Sequence, residues 1–269
     1  MVLRIGLPLI LISLRCLAAE GTALDAGYRQ MYDLQFTEAR GSFHQWEQQH
    51  PDDPMGPVSV AAAYLFEEFD RLHILQSEFF TTDAGFLNMR HAAPDPALKA
   101  RFESALARGQ SLAGTALRRS PSDENALLAT VLRNGLHADY LALVEKRYMA
   151  SLTELKQARD TGRKLVAAHP DCYDAYLAVG VENYMLSLKP APLRWILRLG
   201  GAETDKDVGL ANLRLTAERG HYLMPYARLL LAVAALRDNN RARARRTLTW
   251  LARSYPRNAL YREELAKLQ

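Results

Sequence analysis

Apolar residues along this chain recur at intervals of three and four, the spacing of one face of an α-helix. Leu141, Val144, Tyr148, Leu152 and Leu155 form one such series. Alternation of apolar and polar residues, which is typical of a half-buried strand, is short wherever it occurs, and β-branched clusters are missing. The pattern therefore predicts an all-α fold with short loops at Gly, Pro and Asn-Asn positions.

The helical pattern repeats around four prolines. A small residue lies 12 residues before each proline, and two residues of the same helix face lie 8 and 5 residues before it. The sets are Ala39, Phe43 and Trp46 before Pro51; Gly109, Ala113 and Ala116 before Pro121; Ala158, Gly162 and Leu165 before Pro170; and Ala244, Leu248 and Leu251 before Pro256. A small residue lets a neighbouring helix come close, and the other two fill the space between the helices. We therefore expect a helix to end near each proline, and good N-cap residues follow, such as Asp123 and Asn258.

This unit of two helices in about 34 residues resembles the tetratricopeptide repeat (TPR) family. The best matches lie at 26–51, 158–184 and 225–256. The resemblance implies a TPR-like α-solenoid of antiparallel helical hairpins, with a groove between the first helices for a protein or peptide partner. A weaker local resemblance, over 185–231, is to tetratricopeptide-39 and inclusion-body-clearance proteins, and it implies a scaffold without established catalytic residues.

The spacing of the prolines departs from a regular repeat. The intervals are 70, 49 and 86 residues, of which the first is close to two units. We therefore expect irregular inserts, at Phe79–Pro96 and at Lys189–Gly201, and a closing polar-faced helix at Leu260–Leu268.

The first nineteen residues have the pattern of a secretory signal peptide. Arg4 precedes an apolar run, and small residues follow at Ala18 and Ala19. We expect cleavage near Ala19, a single domain over 20–269, and a soluble protein in the periplasm or secreted. Arg15 stands before Cys16, where a lipidated cysteine normally follows a small residue, so lipidation is the less favoured alternative. Removing the leader lowers the formal charge from +4 to +2, so the protein is only weakly basic.

Two groups of polar residues suggest alternative functions. Glu67, Glu68, Asp70 and His73 share one helical stretch, which suggests a metal-binding or enzymatic protein, although a solvated helix face explains them as well. The segment 237–262 holds eight arginines and one acid, Asp238. With the apolar-basic helix Leu193–Leu199, in which Arg194 and Arg198 flank Trp195, this segment suggests an adaptor at an anionic membrane surface. Nucleic acid is not expected as a partner, because exported proteins rarely meet any.

The favoured function is a protein-binding scaffold without catalysis, cofactor or metal. On the free faces of the first helices, Asn125, Tyr184, Tyr226 and Arg237 are the candidate partner-binding residues, beside an apolar stripe. The alternative is that this stripe packs against an insert such as Phe79–Pro96 and leaves no groove. The sequence names neither the partner nor the number of repeats nor the oligomeric state.

Overall fold

The computed structural model describes residues 21–75, 92–188 and 204–268. Within these ranges the chain forms eleven α-helices and no strand. The helices are α1 (Ala23–Tyr32), α2 (Phe36–Gln49), α3 (Met55–Arg71), α4 (Pro96–Arg119), α5 (Glu124–Asp139), α6 (Tyr148–Ala168), α7 (Tyr176–Ser187), α8 (Lys206–Arg219), α9 (Met224–Arg237), α10 (Arg241–Ser254) and α11 (Ala259–Ala266). A π-helical turn at Tyr140–Val144 extends α5, and a 3₁₀ turn at Tyr173–Ala175 precedes α7. None of the described helices is long and apolar enough to cross a membrane.

Successive helices pack against each other as hairpins. The described helices pair as α1–α2, α3–α4, α5–α6, α7–α8 and α9–α10, and α11 packs on α10. Each second helix also packs against the first helix of the next hairpin, and α1, α3 and α5 contact one another in turn. The architecture is a TPR-like α-solenoid, as the sequence predicts.

The four proline-anchored sets of residues occupy the positions that their spacing predicts. The small residues Ala39, Gly109, Ala158 and Ala244 are all buried in second helices, and each of those helices ends two residues before its proline. Leu165 and Leu251 are fully buried, whereas Trp46 is only partly buried and donates its indole N–H to Asp53 over 3.0 Å. The repeat is thus confirmed in its packing positions.

The structure contains a fifth unit that the proline pattern does not show. In α8, Gly209, Leu213 and Thr216 are buried and stand 12, 8 and 5 residues before His221, which takes the place of the proline. The long interval between Pro170 and Pro256 therefore holds two units. Between Pro51 and Pro121 the described residues form α3 and α4, and 76–91 lie outside the described residues, so the two units that the first interval suggests stay a prediction.

The closing helix is shorter than predicted, and one of its acids is buried. It spans Ala259–Ala266, and the side chain of Asn258 caps it by accepting from the Leu260 backbone N–H over 3.0 Å. Arg262, Glu263 and Lys267 are exposed, as expected for a terminal helix, but Glu264 is buried beside Lys267. The predicted leader at 1–19, most of the first insert and the second insert with Leu193–Leu199 lie outside the described residues.

The closest approach between backbones that a glycine permits lies where α7 crosses α8. A Cβ atom at Gly209 would stand 2.6 Å from the backbone nitrogen of Tyr184 and 3.1 Å from the carbonyl oxygen of Gly180. Atoms of a helix backbone cannot move aside without shifting the whole helix. Only glycine therefore permits this crossing.

We expect Gly209→Ala to lower the free energy of unfolding by about 1–3 kcal/mol, because the added methyl group overpacks the crossing. Gly41→Ala is the matched control, since a Cβ atom there meets nothing within 4 Å. Gly41 lies in the exposed part of α2, where Gly41→Ala should raise the free energy of unfolding by about 0.5–1 kcal/mol. Urea denaturation of the two variants measures both changes, and equal effects would contradict the assigned crossing.

Candidate functional site

The first helix of the chain packs against its last third. The ring of Tyr28 in α1 stacks on Tyr222, between α8 and α9, with 4.6 Å between ring centroids. The Tyr32 hydroxyl donates to the Tyr222 carbonyl oxygen over 3.0 Å. At the end of α1, Asp33 accepts from the backbone N–H of Arg257 over 2.8 Å. These contacts join the two ends of the described solenoid.

A buried acid holds the Tyr222 loop in place. The carboxylate of Asp174 accepts from the backbone N–H groups of Tyr222, over 2.9 Å, and of Leu223, over 3.1 Å. Burial raises the pKa of Asp174, and these backbone donors oppose the rise. Asp174 lies in the 3₁₀ turn before α7 and is buried there.

The inner face holds a partly open cavity of about 80 Å³, which we call the inner cavity. All five first helices of the described hairpins contribute to its wall, which is mainly apolar and aromatic. Its lining includes Tyr28, Tyr32, Ala62, Phe66, Leu132, Leu136, Leu177, Val181 and Tyr226. An engineered cavity of about 150 Å³ binds one benzene molecule, so the inner cavity is far too small for a peptide segment.

The inner cavity has one carboxyl group in its described lining. Asp139, the last residue of α5, is half-buried there, and the Tyr226 hydroxyl donates to its Oδ2 over 3.4 Å. That distance is long for a hydrogen bond between two oxygens, so the bond is weak. Burial raises the pKa of Asp139 to about 7, with Tyr226 opposing the rise. Burial also raises the pKa of Tyr226, so its hydroxyl stays protonated.

The four predicted groove residues do not form one surface in this structure. Asn125 is exposed at the start of α5, and Tyr226 lines the inner cavity. Tyr184 is 4% exposed and packs between α7, α8 and α9, and Arg237 ends α9 close enough to lower the pKa of Tyr184 against the rise from burial. Leu128 and Leu132 of α5 are buried as well. Partner contact by the four residues stays a prediction.

The acidic cluster predicted near His73 is divided among other partners. Glu67 forms an ion pair with Arg40, and buried Glu68 accepts from Arg71 Nε over 2.7 Å and from the backbone N–H of Asp95 over 2.9 Å. Burial raises the pKa of Asp70. Within the described ranges no group of three or more His, Cys, Asp or Glu residues could hold a metal ion.

An open polar cleft of about 370 Å³ lies on the other side of α5, between the second helices α4 and α6. We call it the outer cleft. Gly109, Ala113 and Ala129 are its small residues. Its remaining lining is polar and consists of Gln110, Thr130, Arg133, Asn134, Gln157, Asp160, Thr161 and Lys164. Its volume falls within the range of roughly 300–1,000 Å³ that is typical of ligand sites.

Several side chains of the outer cleft are available to a ligand. Gln110, Gln157 and Lys164 are exposed and form no side-chain hydrogen bond or ion pair with any residue that the structure describes. Arg133, by contrast, is held by Glu154 over 2.8 Å. Among its described lining residues, the cleft thus offers unpaired amide groups at Gln110 and Gln157 and an unpaired ammonium group at Lys164, beside the paired guanidinium of Arg133.

The arginine-rich segment lies on the surface, as the charge pattern predicts. Arg241, Arg245, Arg246 and Arg253 in α10 are exposed, as are Arg257 and Arg262 beyond it. Arg241 donates to the carbonyl oxygen of Lys267 over 3.2 Å. The apolar seam of α10, formed by Ala244, Leu248 and Leu251, faces the core instead.

Among known proteins, similarity is found to solved structures. No family model and no curated protein matches the chain. Among solved structures, a thermophilic TPR protein of Thermus thermophilus is similar at 16% sequence identity, with a TM-score of 0.46, over 91% of this chain and 96% of that one.

Sequence reasoning missed Asp139 and the two tyrosines of α1. The signal for Asp139 is present, because it is the single charged residue between Leu136 and Val144, in an otherwise mostly apolar run. An acid in such a run is unusual unless it has a partner or a function. Its position at the inner cavity depends on contacts across almost the whole chain.

We expect Asp139 to make stability fall with rising pH between about 4 and 7. In that window the folded state keeps a proton on Asp139 that the unfolded state releases, so each pH unit costs about 1.4 kcal/mol. The free energy of unfolding of the parent protein, minus that of Asp139→Asn, should decrease across the window and level off above it. Urea denaturation at several pH values measures this difference, and a constant difference would contradict the assignment.

Proposed function

We propose that this protein is a non-catalytic scaffold that binds an extended segment of a protein partner in the outer cleft. The observation that carries the proposal is the free polar lining of that cleft. An extended peptide carries unpaired backbone N–H and C=O groups, which Gln110 and Gln157 can pair from opposite walls. The TPR-like fold supports a scaffold role, because stacked hairpins present long surfaces.

The outer cleft is favoured over the inner face for geometric reasons. A segment of a partner cannot enter the inner cavity unless α1 leaves Tyr222 and Asn258. Asn125 and Arg237 are reachable at the edges of the first helices, whereas Tyr184 is buried. Binding by Asn125, Tyr184, Tyr226 and Arg237 is therefore proposed only for a form in which α1 has moved away.

The test is capture of partner proteins from an extract of the native cell envelope. We expect Gln110→Ala with Lys164→Ala to reduce capture of a specific partner at least tenfold, because two free bonding groups of the cleft are lost. Gln48→Ala with Lys156→Ala is the matched control, since these residues are exposed outside the cleft. Quantitative mass spectrometry measures the captured proteins.

Asn125→Ala with Arg237→Ala forms a second arm of the same experiment. Loss of the partner in this arm alone would show that the first helices, and not the outer cleft, bind it. Undiminished capture in both arms would show that the partner binds neither surface.

We further propose that the protein works outside the cytosol after removal of 1–19. The support is the basic, apolar and small-residue order of Arg4, Ile5–Leu14 and Ala18-Ala19. We expect N-terminal sequencing of the protein from the envelope fraction to give a mature start near Glu20. An intact Met1 there would overturn export by cleavage, and a lipid on Cys16 would overturn the proposed cleavage site.

A peripheral contact with an anionic membrane is a second proposal, favoured by the exposed arginines of α10. Sedimentation with phosphatidylglycerol vesicles tests it, with neutral vesicles as the control. Arg245→Glu with Arg246→Glu should abolish any binding that depends on charge.

A further inference from the structure

The inner cavity combines two features that together define a ligand chemistry. It has one ionisable carboxyl group, Asp139, and no Lys, Arg or His among its described lining residues. Asp139 Oδ2 receives one long hydrogen bond from Tyr226, and Oδ1 receives none from any residue that the structure describes. A carboxylate in such surroundings lacks the paired charge that normally accompanies burial.

Aromatic rings form part of the same lining. Tyr32 and Phe66 meet edge to face with 6.1 Å between ring centroids, and Phe66 meets Tyr226 in the same way at 5.9 Å. Tyr28 continues the wall on the other side of Tyr32. The negative face of an aromatic ring attracts a cation, so an aromatic lining favours a positively charged nitrogen over a neutral group.

The volume of the cavity limits the size of an occupant. A cavity of about 80 Å³ is roughly half the size of one that accommodates the six carbon atoms of benzene. The remaining wall is aliphatic, with Leu132, Leu136 and Val181 among its residues. The occupant is therefore a cation of about three or four non-hydrogen atoms, with an apolar tail and at least one N–H donor.

We propose that the inner cavity binds a small free alkylammonium ion. Its nitrogen donates to Asp139 Oδ1 and lies beside the Tyr226 hydroxyl, and its alkyl chain contacts the leucines and rings of the wall. Because α1 and the Tyr222 loop form part of that wall, a bound ion also holds the two ends of the solenoid together. This site is independent of the outer cleft.

n-Propylammonium is the test ligand, with 1-propanol as the neutral molecule of matching size. Isothermal titration calorimetry at pH 8 should show saturable binding of one n-propylammonium ion per chain. For a ligand of four non-hydrogen atoms we expect a dissociation constant in the range of about 0.1–10 mM. Propanol should bind at least tenfold more weakly, because it brings no charge to Asp139.

Two variants and one larger ligand complete the test. Asp139→Asn should lose at least tenfold in affinity for n-propylammonium and lose its preference over propanol, whereas the exposed Glu263→Gln should bind like the parent. Tyr226→Phe, which keeps the ring, should show a smaller loss, and it provides a readout if Asp139→Asn folds poorly. N-acetyl-lysine methylamide should not bind, because its backbone exceeds the cavity.

Three results would overturn the proposal. They are absence of saturable n-propylammonium binding, equal binding by Asp139→Asn, and binding of the lysine derivative as tight as that of n-propylammonium. The last result would show that the site accepts a protein side chain and does not select a small free ion.

Discussion

The contact of α1 with residues near Tyr222 and Asn258 is the constraint on which the inner face depends. Asn258 makes this contact with a single side chain: its amide nitrogen donates to the carbonyl oxygen of Tyr32 over 2.9 Å, while its amide oxygen caps α11. One residue thus satisfies the ends of two helices that are far apart in sequence. Without this contact the inner cavity would lose the part of its wall that α1 supplies. The small volume of the inner cavity is also why the outer cleft is the stronger candidate for a protein partner.

Local rules of sequence predict most of the helical hairpins. Small residues at Ala39, Ala158 and Ala244 and the prolines that follow mark second helices because close packing and helix termination have local causes. The proline pattern does not identify the unit that ends at His221, because His221 stands where the other units have a proline. The same spacing of Gly209, Leu213 and Thr216 identifies it once the anchor is not required to be proline.

The candidate site was less predictable because it depends on contacts between distant residues. The faces of α5 and α7 were assigned as free from the periodicity of each helix by itself, which says nothing about what other helices cover. Leu128 and Tyr184 are buried by such neighbours, and Asp174 is buried by its bonds to the Tyr222 loop. Asp139 shows the opposite case. It is visible in the sequence as an isolated acid, but its position in the lining of the inner cavity depends on how α5 packs against other helices.

The packing of α1 against the last part of the described chain changes how such a solenoid folds. In an open repeat array each unit contacts only its neighbours, so folding can begin anywhere and spread along the chain. Here Asp33 bonds to the backbone of Arg257, and the loop between them closes slowly because such long-range contacts carry a large entropic cost. During synthesis, α1 leaves the ribosome first, yet its tyrosines gain their final partners only when the last hairpin has emerged. The nascent chain therefore spends most of its translation time with the part of α1 that later packs on Tyr222 exposed to chaperones and to neighbouring chains.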